Sequence, residues 1–84
     1  MYEVRLHPEA VRAFRRLSGP LRERIASAID GLAIDPRPRG AVKLAGRDDF
    51  RIRVGDYRIV YAGDAAERLA LLARIAHRRE VYRR

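Results

Sequence analysis

The stretch RIRVGDYRIVY, residues 51–61, constrains the fold of this chain more than any other. Apolar and polar residues alternate on both sides of Gly55-Asp56, and side chains along a strand point to opposite faces with a period of two. Read as one continuous strand, the stretch mixes Arg51 and Arg53 with Tyr57 and Ile59 on a face that cannot be buried cheaply, and leaves Arg58 on the other. Read as a hairpin with a two-residue loop, it sets Val54 opposite Tyr57, Arg53 opposite Arg58, Ile52 opposite Ile59 and Arg51 opposite Val60. Phe50, Ile52, Val54, Tyr57, Ile59 and Tyr61 then form one apolar face, and Arg51, Arg53, Arg58 and Val60 form the other. A glycine in the first loop position is what a type II′ turn requires, so the hairpin is the expected form. It has a cost, because like charges opposite one another across strands destabilise a sheet by ~0.2–1 kcal/mol. An anion held between Arg53 and Arg58 removes that cost. The plainer alternative is a solvated face that splays its arginines, with Asp48, Asp49 or Asp56 nearby for partial pairing.

The rest of the chain supplies partners for the apolar face. Tyr2, Val4 and Leu6 alternate with Glu3 and Arg5, a half-buried strand pattern, and Pro8 suits a first helical turn. Ala10, Val11, Phe14 and Leu17 recur at helical spacing until Ser18-Gly19-Pro20 interrupts them. A second helix begins near Leu21 and carries Leu21, Ile25, Ala28, Ile29 and Leu32 on one stripe, so the two form an αα-hairpin. DPRPRG, residues 35–40, is a loop by its prolines and glycine, and residues 41–49 have no clear pattern. GDAAER, residues 63–68, reads as a second turn. In LALLARIA, residues 69–76, Leu69, Leu71, Ala73 and Ile75 share one parity, which fits a buried strand, although a helix also fits so short a run. The order β-α-α-β-β-β implies an α+β fold in which an antiparallel sheet carries the αα-hairpin on one face.

Eighty-four residues suffice for one two-layer core, so the expectation is a single domain over residues 1–84. The absence of cysteine rules out disulfides and thiolate metal sites and fits a reducing cytoplasm, and two histidines are too few for a zinc site. No apolar run approaches the ~20 residues of a membrane span, and MYEVRLHPEA has no signal-peptide core. Nineteen basic residues against eleven acidic give a formal charge of +8, which points to a polyanionic partner, nucleic acid ahead of an acidic protein. A membrane surface fits less well, since neither helix pairs a cationic face with a large Trp/Phe/Leu face. Eighteen of the nineteen are arginine, Lys43 being the exception. Genomic base composition accounts for a choice of arginine over lysine, but not for the excess of charge.

DPRPRGAVKLAGRDDFRIRVGDYRIVY followed by HRREVYRR closely resembles the RelE/ParE superfamily of bacterial toxin–antitoxin toxins, the RelE branch in particular. The resemblance runs from YEVRLHPEAVRAFRRL to EVYRR, with the core around Gly55-Asp56 its most specific part. It implies the same fold. It also implies that the chain is a metal-free ribonuclease without cofactors, which cuts mRNA in the decoding site of the ribosome and so inhibits translation. The implied protein partner is a cognate antitoxin, through which the toxin–antitoxin complex binds its own operator DNA. Carried over by position, the basic pair before the turn is Arg51 and Arg53, and the arginine beginning the next strand is Arg58. A further arginine corresponds most closely to Arg78, with Arg79 beside it as the alternative, and the terminal tyrosine corresponds to Tyr82. Two departures stand out: the C-terminal spacing is shorter than usual, and lysines often occupy the positions of Arg51 and Arg53.

The implied chemistry is attack of a 2′-hydroxyl on its own 3′-phosphate, giving a cyclic phosphate and a free 5′-hydroxyl. It requires removal of the 2′ proton, neutralisation of charge on the phosphorane oxygens and a proton for the leaving oxygen. Arginine forks serve the second demand, but an arginine is effectively always protonated and makes a poor general base. For proton transfer the sequence offers His77, Glu80, Asp48, Asp49 and the tyrosines, of which histidine is the type that titrates near neutrality. A lone histidine after a strand is as often a capping or surface residue, and His7 beside Pro8 reads as structural. Tyr82 suits stacking on a splayed base, or a terminal hydrophobic latch; Tyr57 and Tyr61 belong to the core by parity. Arg12, Arg15, Arg16, Arg22 and Arg24 make a cationic helical surface, by default solvated, with rRNA contact the functional alternative. A ParE-like toxin that poisons DNA gyrase and cuts no RNA shares the fold, and a member that binds without cleaving is a third reading raised by the missing lysines.

Overall fold

The structure is a computed structural model that describes residues 1–44, 49–77 and 79. The elements are β1 (Glu3–Leu6), α1 (Pro8–Arg16), α2 (Gly19–Ile34), β2 (Val42–Lys43), β3 (Asp49–Val54), β4 (Tyr57–Asp64) and β5 (Leu69–His77). Of the candidate residues, Asp48, Arg78, Glu80 and Tyr82 lie outside the described residues.

α1 starts where His7 and Pro8 let it. Pro8 has no N–H to leave unsatisfied at a helix start, and the His7 Nδ1 accepts the Glu9 N–H at 3.1 Å. Glu9 in the first turn and Arg15 and Arg16 in the last complement the helix dipole. Gly19, at φ +62°, makes the turn into α2, which therefore begins two residues before the expected Leu21. Ile25 and Leu32 are fully buried on its apolar stripe, with Leu21, Ala28 and Ile29 packed around them. No helix among the described residues is long and apolar enough to cross a membrane.

The sheet has the order β1-β5-β4-β3-β2 and differs from the expected all-antiparallel sheet in two ways. A short strand, β2, forms within the segment that had no clear pattern, pairing Val42 with Arg51 and Lys43 with Phe50. β1 runs parallel to β5, through Glu3–Leu6 against Leu69–Leu72. The cause is the crossover: the two helices carry the chain from β1 over one face to the far edge. Three antiparallel reversals then bring it back, so the last strand lies beside the first and points the same way.

The hairpin register is the expected one, with Arg53 opposite Arg58 and Phe50 opposite Tyr61. Its apolar face meets the helices, and Phe50, Ile52, Ile59 and Tyr61 join Ile25 and Leu32 in the core. β5 departs from the simple alternation. Val60 faces Arg74 but Tyr61 faces Leu72, so Ala73 is an extra residue in a β-bulge. The bulge shifts parity: Ala70 and Leu72 are buried before it and Ile75 after it, while Leu71, expected inside, is 44% exposed.

Tyr61 joins sheet to loop. It is fully buried and stacks on Phe50, and its hydroxyl donates to the Pro36 carbonyl at 2.6 Å, fixing the segment that leaves α2. Burial, reinforced by the Asp35 carboxylate, raises the phenol above its ordinary value of 10.0. The folded state therefore holds this proton more tightly than the unfolded chain, and stability falls as the pH rises above that ordinary value. Tyr61→Phe is expected to lower the free energy of unfolding by about 1 kcal/mol in urea titrations near neutrality. The same variant should lack this contribution to the alkaline loss of stability.

Candidate functional site

The face of the sheet opposite the helices gathers the arginines, and the turn explains how. Gly55 has φ +60°, and Asp56 is not among the residues with positive φ, the pattern of a type II′ turn with glycine first. This turn reverses the chain without slipping its register, so Arg51, Arg53 and Arg58 project to one side.

Each of the three sits in a different environment. Arg53 is exposed, and its Nε donates to the Gly55 carbonyl at 3.2 Å, which hooks the side chain over its own turn. Arg58, directly opposite, is only 7% exposed and its Nη1 atom is buried. Arginine is rarely so enclosed, and a guanidinium removed from water interacts more strongly with any charge that reaches it. Arg51 is half-buried opposite Val60.

A fourth arginine extends the cluster, while Arg5 of β1 lies farther along the same face and is paired with Glu3 at 2.7 Å. Arg74 lies opposite Val60 on the β5 side, so Arg51, Val60 and Arg74 form one row across three strands. With strands ~4.8 Å apart, the ends of that row are separated by about 10 Å. Sequence reasoning passed over Arg74 because it sat in an apolar run read for its core residues. Its parity opposite Ile75 was the available signal.

Acidic groups on this face are placed unequally. Asp49 begins β3 on the same parity as Arg51 and Arg53, two positions from Arg51. Asp64, at the far end of β4, is engaged with its own turn and accepts the Ala66 and Glu67 N–H groups at 3.0 and 3.2 Å. The face is thus cationic toward the hairpin turn, with one carboxylate beside Arg51. Among the described residues no three His, Asp or Glu side chains are grouped as a metal site.

His77 is not brought to the arginines. It pairs with Tyr57, on the parity that faces the helices, and its ring meets the Tyr57 ring edge-on at 5.4 Å. Its Nδ1 accepts the Arg79 N–H at 3.2 Å, as a residue capping the strand end does. His77 shares the parity of Ile75, which is buried against the core. Tyr57 and Tyr61 occupy the helix side, as their parity required.

Comparison with known proteins bears on this architecture. A model of the ParE toxin of type II toxin–antitoxin systems matches residues 4–82. The fold matches the RelE–RelB complex of the archaeon Pyrococcus horikoshii at 29% identity and a TM-score of 0.83, covering 92% of this chain and 94% of that one. It also matches the intact E. coli RelBE toxin–antitoxin complex, at 21% identity and a TM-score of 0.79 over 92% and 96% of the two chains. A third match is the RelB–RelE antitoxin–toxin complex of Methanococcus jannaschii, at 23% identity and a TM-score of 0.74 over 93% and 94%. The last two identities speak for the fold alone. No curated protein sequence matches the chain. The family model spans nearly the whole chain, and the fold matches that of solved RelE toxins: the chain belongs to the RelE/ParE superfamily of toxins of type II toxin–antitoxin systems.

Proposed function

We propose that this toxin is a ribosome-dependent mRNA endoribonuclease whose phosphate site is the outer face of the β3–β4 hairpin. The observation that supports it most is the cross-strand pair Arg53–Arg58 with Arg51 beside it, on the sheet face away from the helices. A phosphodiester that reaches these guanidinium groups is held by charge-assisted hydrogen bonds.

In the proposed reaction the arginines bind the scissile phosphate and stabilise the added negative charge of the phosphorane. Arg58 supplies the least solvated charge, and Arg53 and Arg51 supply forks from the neighbouring strand. Asp49, the carboxylate two positions from Arg51, takes the 2′ proton as the hydroxyl attacks the adjacent phosphate. The P–O5′ bond then breaks and the departing 5′-oxygen takes a proton from solvent water, leaving a 2′,3′-cyclic phosphate and a 5′-hydroxyl. Arg78 and Tyr82 keep their proposed supporting roles, in phosphate binding and base stacking. His77, facing the helices, is placed to shape the strand end. A cognate antitoxin is the proposed protein partner, as the similar toxins were solved with theirs. The toxin–antitoxin complex is proposed to bind its operator through the antitoxin.

The matching family model bears the ParE name, and that favours a second reading, inhibition of DNA gyrase without RNA cleavage. The two separate cleanly in one experiment. The 5′ ends of an mRNA translated on purified ribosomes are mapped with the wild type, Arg58→Ala, Arg53→Ala and Asp49→Asn. Codon-positioned ends are expected with the wild type, reduced on the order of 10²–10³-fold by loss of an arginine that stabilises the developing charge. Asp49→Asn is expected to reduce cleavage while leaving binding of an uncleavable RNA intact. Gyrase-dependent DNA breaks with no RNA ends would overturn the ribonuclease reading. Independently of activity, inorganic phosphate at constant ionic strength is expected to raise the melting temperature of the wild type, by linkage to the folded state. Arg53→Gln should remove most of that rise.

A further inference from the structure

A groove of about 290 Å³ lies beside the arginine face, between α1 and the second half of β5. It exists because β1 is short. β1 pairs with β5 only through Leu72, where the His7 N–H donates to the Leu72 carbonyl at 2.8 Å, and Pro8 then turns the chain into α1. Beyond that point no further strand flanks β5 on this side among the described residues. Arg12 and Arg16 line the groove from α1 and Arg74 from β5, above a floor of Ala13, Ile75 and Ala76. Glu9 is the one acidic residue in the lining. Glu9, Arg12, Ala13 and Arg16 fall on a single helical stripe, so the two α1 arginines stand one turn apart and repel each other.

The groove is continuous with the proposed phosphate site. Ala76 lines it and is also the cross-strand partner of Arg58, while Arg74 ends the row that begins at Arg51. Arginines thus stand at both ends of the row that joins β3 to the groove. Among the described residues no aromatic and no amide side chain lines it, so they supply neither a stacking platform nor a reader of base edges. What it offers is charge for a backbone.

We propose that the groove of Arg12, Arg16 and Arg74 is a second phosphate subsite, holding the backbone of the same single-stranded RNA beyond the scissile nucleotide, without regard to base sequence. The inference rests on the ribonuclease reading and adds a length requirement: an RNA confined to the hairpin face does not reach the groove, and a longer one does.

The test uses 2′-O-methyl oligonucleotides, which keep the phosphates and cannot be cleaved, of three and twelve nucleotides. Affinity is measured by fluorescence anisotropy across a salt series for the wild type, the double variant Arg12→Ala/Arg16→Ala, and Arg15→Ala, which lies on α1 outside the groove. Circular dichroism checks that these exposed substitutions leave the fold intact. The double variant is expected to bind the 12-mer more weakly, with a log–log salt dependence flatter by about 1.4 for two lost phosphate contacts. Its affinity for the trinucleotide, and both affinities of Arg15→Ala, should match the wild type. A double variant that binds the 12-mer as the wild type does overturns the subsite, and a simultaneous loss of affinity for a polyglutamate peptide would assign the groove to an acidic protein instead. If the wild type binds neither oligonucleotide, the subsite is overturned, while the ribonuclease reading stands or falls separately on the 5′ ends mapped on ribosomes.

Discussion

The pairing of β3 with β4 across Gly55-Asp56 fixes the parity of the whole centre of the sheet, and the core and the cationic face depend on it together. A turn with positive φ at its first residue holds Arg53 opposite Arg58 and Phe50 opposite Tyr61 in the same register. Slipping that register by one residue would bring arginines toward Ile25 and Leu32 and push Ile52 and Ile59 into water. Burial of the apolar face thus maintains a like-charge pair on the other side that sheet energetics alone would disfavour. In the proposed reading, the contacts that hold the fold are also those that present the arginines to an anion.

Much of this was legible from the sequence, for a definite reason. In the hairpin both strands alternate cleanly and the loop is two residues long, so register follows from turn chemistry and the apolar face from parity. The helices were legible from their stripes and from Pro8 and Gly19-Pro20. Long-range pairing was not. Nothing local marks β1 as parallel to β5, and Val42–Lys43 is too short to show alternation, forming a strand only because Arg51 and Phe50 present an edge to it.

The candidate site was legible to the same depth. Arg51, Arg53 and Arg58 follow from the hairpin register. In β5 one extra residue at Ala73 resets the alternation, and a bulge has no fixed signature in a run of leucine and alanine. The parity of Ile75 already put His77 on the Tyr57 side and Arg74 with the arginines; what the bulge changed is that Ala70 and Leu72, rather than Leu69 and Leu71, face the core. An arginine-rich face leaves phosphate binding well provided for and proton transfer dependent on one or two acids. Replacement of the usual lysines by Arg51 and Arg53 has the same effect, since guanidinium groups hold charge firmly and give up protons poorly.

The central claim is that Arg53 and Arg58, opposite one another across the hairpin, together hold a phosphodiester. A double-mutant cycle on this pair tests it most directly, using Arg53→Gln, Arg58→Gln and the combined variant, with unfolding free energies measured in the absence and presence of a saturating 2′-O-methyl oligonucleotide. The coupling between the two should become more favourable when the oligonucleotide is bound. A coupling that the oligonucleotide leaves unchanged would contradict it.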